Sequence, residues 1–166
     1  MIFVVKSTNK KMERLNTENR GVEYVVSGKS DIILSFDEKW VLPVVSKEKT
    51  YDFRRYKLHP ETKRMWFYVN QPVSQLLYIA EIDPAVEYPN QIPKDGIGNK
   101  EFNQGQGINQ SKFAYKIKHL YKFNKPIGIK ELKSRYNISP PRKYIYVSKY
   151  AALVNGIVIE QQTKLY

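Results

Sequence analysis

The sequence predicts an α+β domain of mostly antiparallel strands with short flanking helices, and three observations carry that expectation. Residues 112–123 form the longest strand-like run of the chain. Phe113, Tyr115, Ile117, His119, Tyr121 and Phe123 fall on one face, and Lys116, Lys118 and Lys122 on the other. Residues 65–69 and 76–82 are apolar runs separated only by the turn signal Asn70-Gln71-Pro72, and connections this short favour antiparallel pairing. The helical patterns, one after Asp37 and one over residues 129–136, are brief.

Taken in order, residues 1–30 hold two apolar runs, at 2–5 and 22–26, on either side of a polar, charged stretch. They read as an N-terminal extension: either an added hairpin or a basic arm that orders on a partner. Residues 32–36, apolar but for Ser35, are short and β-rich, the pattern of a buried strand. Asp37 suits a helix N-cap, Glu38 sits where the helix dipole favours an acid, and Pro43 keeps that helix short or kinked. Trp40 is either part of its buried stripe or a stacking wall for a ligand.

Residues 51–56 alternate Tyr51 and Phe53 against Asp52 and Arg54, a strand with one apolar and one ionic face. Glu81 stands in an otherwise apolar run, so it is expected either at a rim or paired with Lys49 or Arg54. Residues 83–111, punctuated by proline and glycine, read as a long loop that is either mobile or functional. Their Gly-x-Gly pairs lack the third glycine and the preceding strand of a nucleotide fingerprint. His119, on an apolar face, is expected to be a hydrogen-bonded core residue. Asn137 and Pro140-Pro141 end the helix over 129–136. A closing strand at 144–147, a helix at 148–155 capped by Ser148 and stopped by Gly156, and a short strand at 157–159 complete the chain.

With 166 residues, 42% of them hydrophobic, the chain has the size of one domain with one real core. It lacks cysteine, which excludes disulfides, thiolate nucleophiles and cysteine-ligated metal. His59 and His119 have no partner at metal-ligand spacing, so neither a metal nor a cofactor is expected. No run reaches the length of a membrane span, and the chain is expected to be soluble and cytoplasmic. The net charge is +12 and uneven: residues 111–150 hold 11 bases and 1 acid, residues 70–110 only 2 bases and 5 acids. Such clustering suits a polyanion such as RNA or DNA, and the 13 tyrosines offer planes on which bases can stack.

Lys49, Asp52 and Arg54 lie together at the head of a predicted strand, an acid between two cations, which suits either an anionic ligand or an ordinary surface ion pair. Residues 32–36, the short helix and Lys49-x-x-Asp52-x-Arg54 together resemble the opening of an ASCH domain, of the PUA-like superfamily. Its signature there is Gly-x-Lys-x-x-Glu-x-Arg. Lys49 and Arg54 match, Lys47 stands at the glycine and Asp52 at the glutamate. Lys125-Pro126-Ile127, Glu131-Leu132-Lys133 and Pro140-Pro141 resemble the closing part of the domain, so the likeness spans residues 31–150 and leaves 151–166 as a helix end and tail.

The resemblance implies a small PUA-like β-barrel with a cleft at its mouth, and a nucleic-acid-binding module, RNA first. Lys49, Tyr51, Asp52, Arg54, Arg55 and Trp40 would line that cleft, and Lys116, Lys118 and Lys122 would extend a phosphate track. It also implies an alternative, a small hydrolase with Lys49 as base or electrostatic catalyst, Asp52 orienting water and Glu81 as general acid. Ribonuclease chemistry fits that alternative better than acylcytidine amidohydrolysis, whose threonine nucleophile is replaced here by Asp52.

Overall fold

The computed structural model describes residues 25–166. Its fold is α+β, a curled mixed sheet that forms a half-barrel of the PUA-like kind with a few short helices around it. The strands are β1 (Asp31–Phe36), β2 (Tyr51–Arg54), β3 (Arg64–Val69), β4 (Gln75–Ile82), β5 (Val86–Glu87), β6 (Phe113–Gly128), β7 (Ile145–Tyr146) and β8 (Thr163–Lys164). They run in the order β2-β6-β4-β3-β1-β7, with β5 and β8 also pairing with β6. Among the described strands only β1 and β3 pair in parallel; the chain between them crosses over through the short helix and β2.

Two apolar layers lie on opposite faces of the sheet. The inner one contains Ile32, Leu34, Phe36, Met65, Phe67, Tyr78, Ala80, Tyr115, Ile117 and Leu120. The outer one contains Ile33, Trp66, Leu76, Ile79, Tyr121, Phe123 and Ile127. It is covered by helices α3 (Ile129–Tyr136) and α4 (Ala151–Gly156) through Leu132, Tyr136 and Leu153. Because β1 and β3 are sandwiched between both layers, their sequences are apolar on both faces, apart from Asp31 and Ser35 in β1 and Arg64 in β3, rather than alternating.

At the start of β1 and β3, Asp31 and Arg64 form a buried ion pair. Arg64 Nε donates to Asp31 Oδ2 at 2.8 Å and Nη2 to Oδ1 at 2.9 Å; Trp66 Nε1 and Ser30 Oγ donate to the same carboxylate at 2.7 and 2.6 Å. The carboxylate is thus fully partnered, as a buried charge must be.

The expected face assignment in β6 is corrected by a bulge. Glu81 pairs with His119 and Ile82 with Ile117, which leaves Lys118 as an extra residue and shifts the alternation by one. Tyr115 and Ile117 therefore join the inner layer, Tyr121 and Phe123 the outer one. The lysines separate with them. Lys116 lies opposite Tyr51 on the outer side and Lys122 opposite Tyr78 on the inner side.

Residues 83–111 are more structured than their composition suggests. They contain β5 and helix α2 (Asn99–Asn103), whose Phe102 is wholly buried against Tyr51, Ile92 and Ala114 behind β2. Near the C-terminus, Ser148 caps no helix; its hydroxyl donates to Gly28 O at 2.7 Å, and α4 begins only at Ala151. The closing strand is only Ile145–Tyr146. No strand forms over 157–159, whereas Thr163–Lys164 pairs with β6 instead. The apolar run at 2–5 lies outside the described residues, as does most of 22–26; Val25 and Val26 are not in a strand.

Candidate functional site

The cleft at the barrel mouth is built by the turn between the first helix and β2. Asp37 accepts from Lys39 N at 3.1 Å and caps a 3-10 turn, Glu38–Trp40, that runs into α1 (Val41–Val45). With Pro43 inside it, α1 stops after five residues, and the chain reverses as Lys47 takes φ 65° and Lys49 N donates to Pro43 O at 2.9 Å. Lys47 is thus left-handed at the position where the resembling family has glycine, the one residue without a steric penalty there.

That reversal drives Lys49 inward, where it is 3% exposed. Its Nζ lies 4.3 Å from the centroid of the Phe53 ring and 4.9 Å from that of Trp40, so the cation rests against two aromatic faces. Burial pulls the ammonium down to about 8; Asp52 opposes that shift and Arg54 adds to it.

On the same face of β2, Arg54 Nε donates to Asp52 Oδ1 at 2.6 Å and Nη2 to Oδ2 at 3.1 Å. Desolvation by itself would lower the guanidinium; the Asp52 carboxylate and the Tyr56 phenol outweigh it and hold Arg54 above its ordinary value. The expected alternation of β2 therefore holds, with Asp52 and Arg54 together and Tyr51 on the other side.

These residues enclose a cleft of about 210 Å³. Trp40, Lys49, Asp52, Phe53 and Arg54 form one part of its wall, and Ser35, Phe36, Asp37, Asn70, Ile108 and Asn109 the rest. Neither this second group nor Phe53 was expected in the site, and Asp37 was visible only as a helix cap. Asn70 was visible only as a turn residue, and Asn109 belongs to the long loop, held there as its carbonyl accepts from Arg55 Nε at 2.6 Å. Gly98, at φ +86°, lets that loop close on the wall: a Cβ there would meet both Phe53 and Ile108 at 2.8 Å.

The other expected site residues lie elsewhere. Tyr51 is buried in the cluster under α2 and does not line the cleft. Glu81 is paired with neither Lys49 nor Arg54; its carboxylate is 3.4 Å from Lys118, which also reaches Asp83 at 3.6 Å. Lys116 and Lys118 line a neighbouring groove, and Lys122 lines neither that groove nor the Lys49 cleft. His119 borders that groove with its Nδ1 buried and without a hydrogen-bond partner, unlike the satisfied core histidine expected.

Among the described residues no helix is long and apolar enough to cross a membrane. No family model matches the sequence, and no curated protein is significantly similar to it. Solved structures are similar in fold. The ASCH protein of Zymomonas mobilis superposes with a TM-score of 0.53 at 18% identity, over 82% of this chain and 98% of that one. Two single-substitution variants of it, serine to alanine and tyrosine to phenylalanine, give TM-scores of 0.56 and 0.54, each at 18% identity over 81% of this chain. Together with the half-barrel and the left-handed turn before Lys49, that likeness shows that the chain has the fold of an ASCH domain.

Proposed function

We propose that this protein binds nucleic acid, RNA in the first place, and holds one unpaired nucleotide in the cleft at Lys49. The observation that carries the reading is the construction of the cleft. A buried cation lies on two aromatic rings, beside a guanidinium fixed by its carboxylate and among short polar side chains. Aromatic faces stack a base, amide and hydroxyl groups read its edge, and the cations meet the phosphate. The overall charge of +12 supports encounter with a polyanion. Binding is tested by titrating labelled RNA and DNA oligonucleotides at several salt concentrations. The expected result is an affinity that falls steeply with salt and drops at least about tenfold in Lys49→Ala. No binding at low salt would remove the reading.

A second reading, a small hydrolase of the ribonuclease type, is favoured by one observation, the depression of Lys49 to about 8. A lysine that shares its proton near neutrality can accept one from a 2′-hydroxyl. In that case Asp52 and Arg54 act on the phosphate and water. Glu81 has no place in the cleft to serve as the acid. The two readings have opposite pH dependence. Binding by charged Lys49 weakens as pH rises through about 8, whereas catalysis by neutral Lys49 speeds up over the same range and then levels off.

A further inference from the structure

Along one edge of β6 the partner changes. Thr50, just before β2, accepts from Ile117 N at 3.0 Å, whereas Leu120 N donates to Tyr166 O at 2.9 Å. β2 begins opposite Lys116 and β8 ends opposite Tyr121, so the register gives Lys118 and His119, at the bulge, no partner on that edge. The opening is a groove of about 450 Å³, within the size range of small-molecule sites. Lys49 belongs to its wall, but Asp52, Phe53 and Arg54 do not, so the groove is a depression separate from the cleft described above.

We propose that this groove is a second site, for a small organic anion with a carboxylate or phosphate head group on an apolar body. It stands independently of the nucleic-acid reading. The charges on its rim point to an anion. The one acid there, Asp83, is engaged together with Glu81 by Lys118, at 3.6 and 3.4 Å. Lys47 and Lys116, also on the rim, have no acid partner among the described residues.

Both free cations are held in place. Lys116 stands on β6 opposite Tyr51, and Lys47 Nζ lies 4.5 Å from the centroid of the Tyr166 ring, whose hydroxyl donates to Val44 O at 2.7 Å. Cations positioned in advance lose less freedom when a ligand arrives. Thr50 Oγ1 accepts from Asn99 Nδ2 at 3.3 Å, which leaves its own O–H to donate to a head group. His119 is not counted among the donors, because its Nδ1 is buried. Ile117 and the Tyr166 ring supply apolar surface for the body of the ligand. Two free cations and one hydroxyl match a single head group, and the Asp83 carboxylate in the same groove opposes a longer chain of phosphates.

The test is a titration of the full, isotope-labelled chain, followed by amide chemical shifts, with benzoate, phenyl phosphate, inorganic phosphate and the neutral benzyl alcohol. Benzoate or phenyl phosphate is expected to bind with a Kd of about 1 mM, at least about tenfold tighter than benzyl alcohol or inorganic phosphate. The largest shifts are expected at Thr50, at residues 116–119 and at Tyr166. Lys47→Glu and Lys116→Glu should each weaken the tighter probe at least about fivefold. Lys125→Glu, the same charge change on an exposed residue that does not border the groove, should leave it within about twofold.

Tighter binding of phenyl phosphate than of benzoate assigns the site to phosphate monoesters, and the reverse order to carboxylates. Benzyl alcohol binding as well as either anion would overturn the proposal, as would an equal loss in all three charge reversals. Shifts centred on Phe53, Arg54 and Asn109 would place the anion in the Lys49 cleft and remove the second site. So would the absence of any shift at about 20 mM probe, a concentration well above the expected Kd.

Discussion

Arg54 grips Asp52 through two parallel hydrogen bonds, 2.6 Å from Nε to Oδ1 and 3.1 Å from Nη2 to Oδ2, with the carboxylate 3% exposed. Two residues apart on one strand, they form a rigid fork that neither could hold alone in water. The pair fixes the charge layout of the cleft before any ligand arrives.

Removing one partner therefore costs more than removing both. Arg54→Met should lower stability by about 3 kcal/mol, because a buried carboxylate loses its counterion. Asp52→Asn combined with Arg54→Met should recover most of that. Urea denaturation of the two single variants and the double one gives the coupling; strictly additive losses would show that the fork is not a unit.

Lys49 gives stability an unusual pH dependence. Its folded value near 8 lies below the ordinary 10.5, so between those two values the unfolded chain holds a proton that the folded chain has released. Stability from this group rises with pH across that window, and the penalty, about 3 kcal/mol, is fully present below 8. Lys49→Met should be more stable than the parent at pH 7 by up to about 3 kcal/mol, with the gap closing by about pH 10.5. A gap that stays constant from pH 7 to 10 would contradict the buried ammonium.

Lys47 holds a left-handed backbone that costs a side-chain-bearing residue about 1–2 kcal/mol. Lys47→Gly should relieve it, less the added freedom of the unfolded glycine and the lost contact with Tyr166, for a net gain of about 0.5 kcal/mol. A shift of the urea midpoint to lower concentration would show that the side chain outweighs the backbone.

Gly98→Ala tests the link between the long loop and the cleft. Its φ of +86° and the two 2.8 Å approaches leave no room for a methyl group without moving Phe53 or Ile108. Expected are a loss of about 2 kcal/mol and weaker oligonucleotide binding, although Gly98 is not among the residues that line the Lys49 cleft. Unchanged binding in a destabilised but folded variant would separate the loop from the site.

Much of this arrangement was legible in the sequence because it is local. β1, β3 and β4 announce themselves by continuous or alternating apolar residues, Asp37 and Pro43 fix a short helix, and the spacing of Asp52 and Arg54 puts them on one face. What escaped is what depends on distant partners. Asp31 and Arg64 meet across parallel strands 33 positions apart, and nothing near either one signals the other. Asn70 and Asn109 reach the cleft only because two loops converge on it. The extra residue Lys118 is invisible to a period count, which assigned Tyr121 and Phe123 to the same side as Tyr115.

That extra residue ties the domain together. One strand supplies Tyr115, Ile117 and Leu120 to one layer and Tyr121, Phe123 and Ile127 to the other. Neither layer can melt while the other keeps its stave, so the whole domain should come apart in a single cooperative transition. Deleting one residue beside Lys118 would turn half the strand inside out, and the chain would have no second register in which to recover.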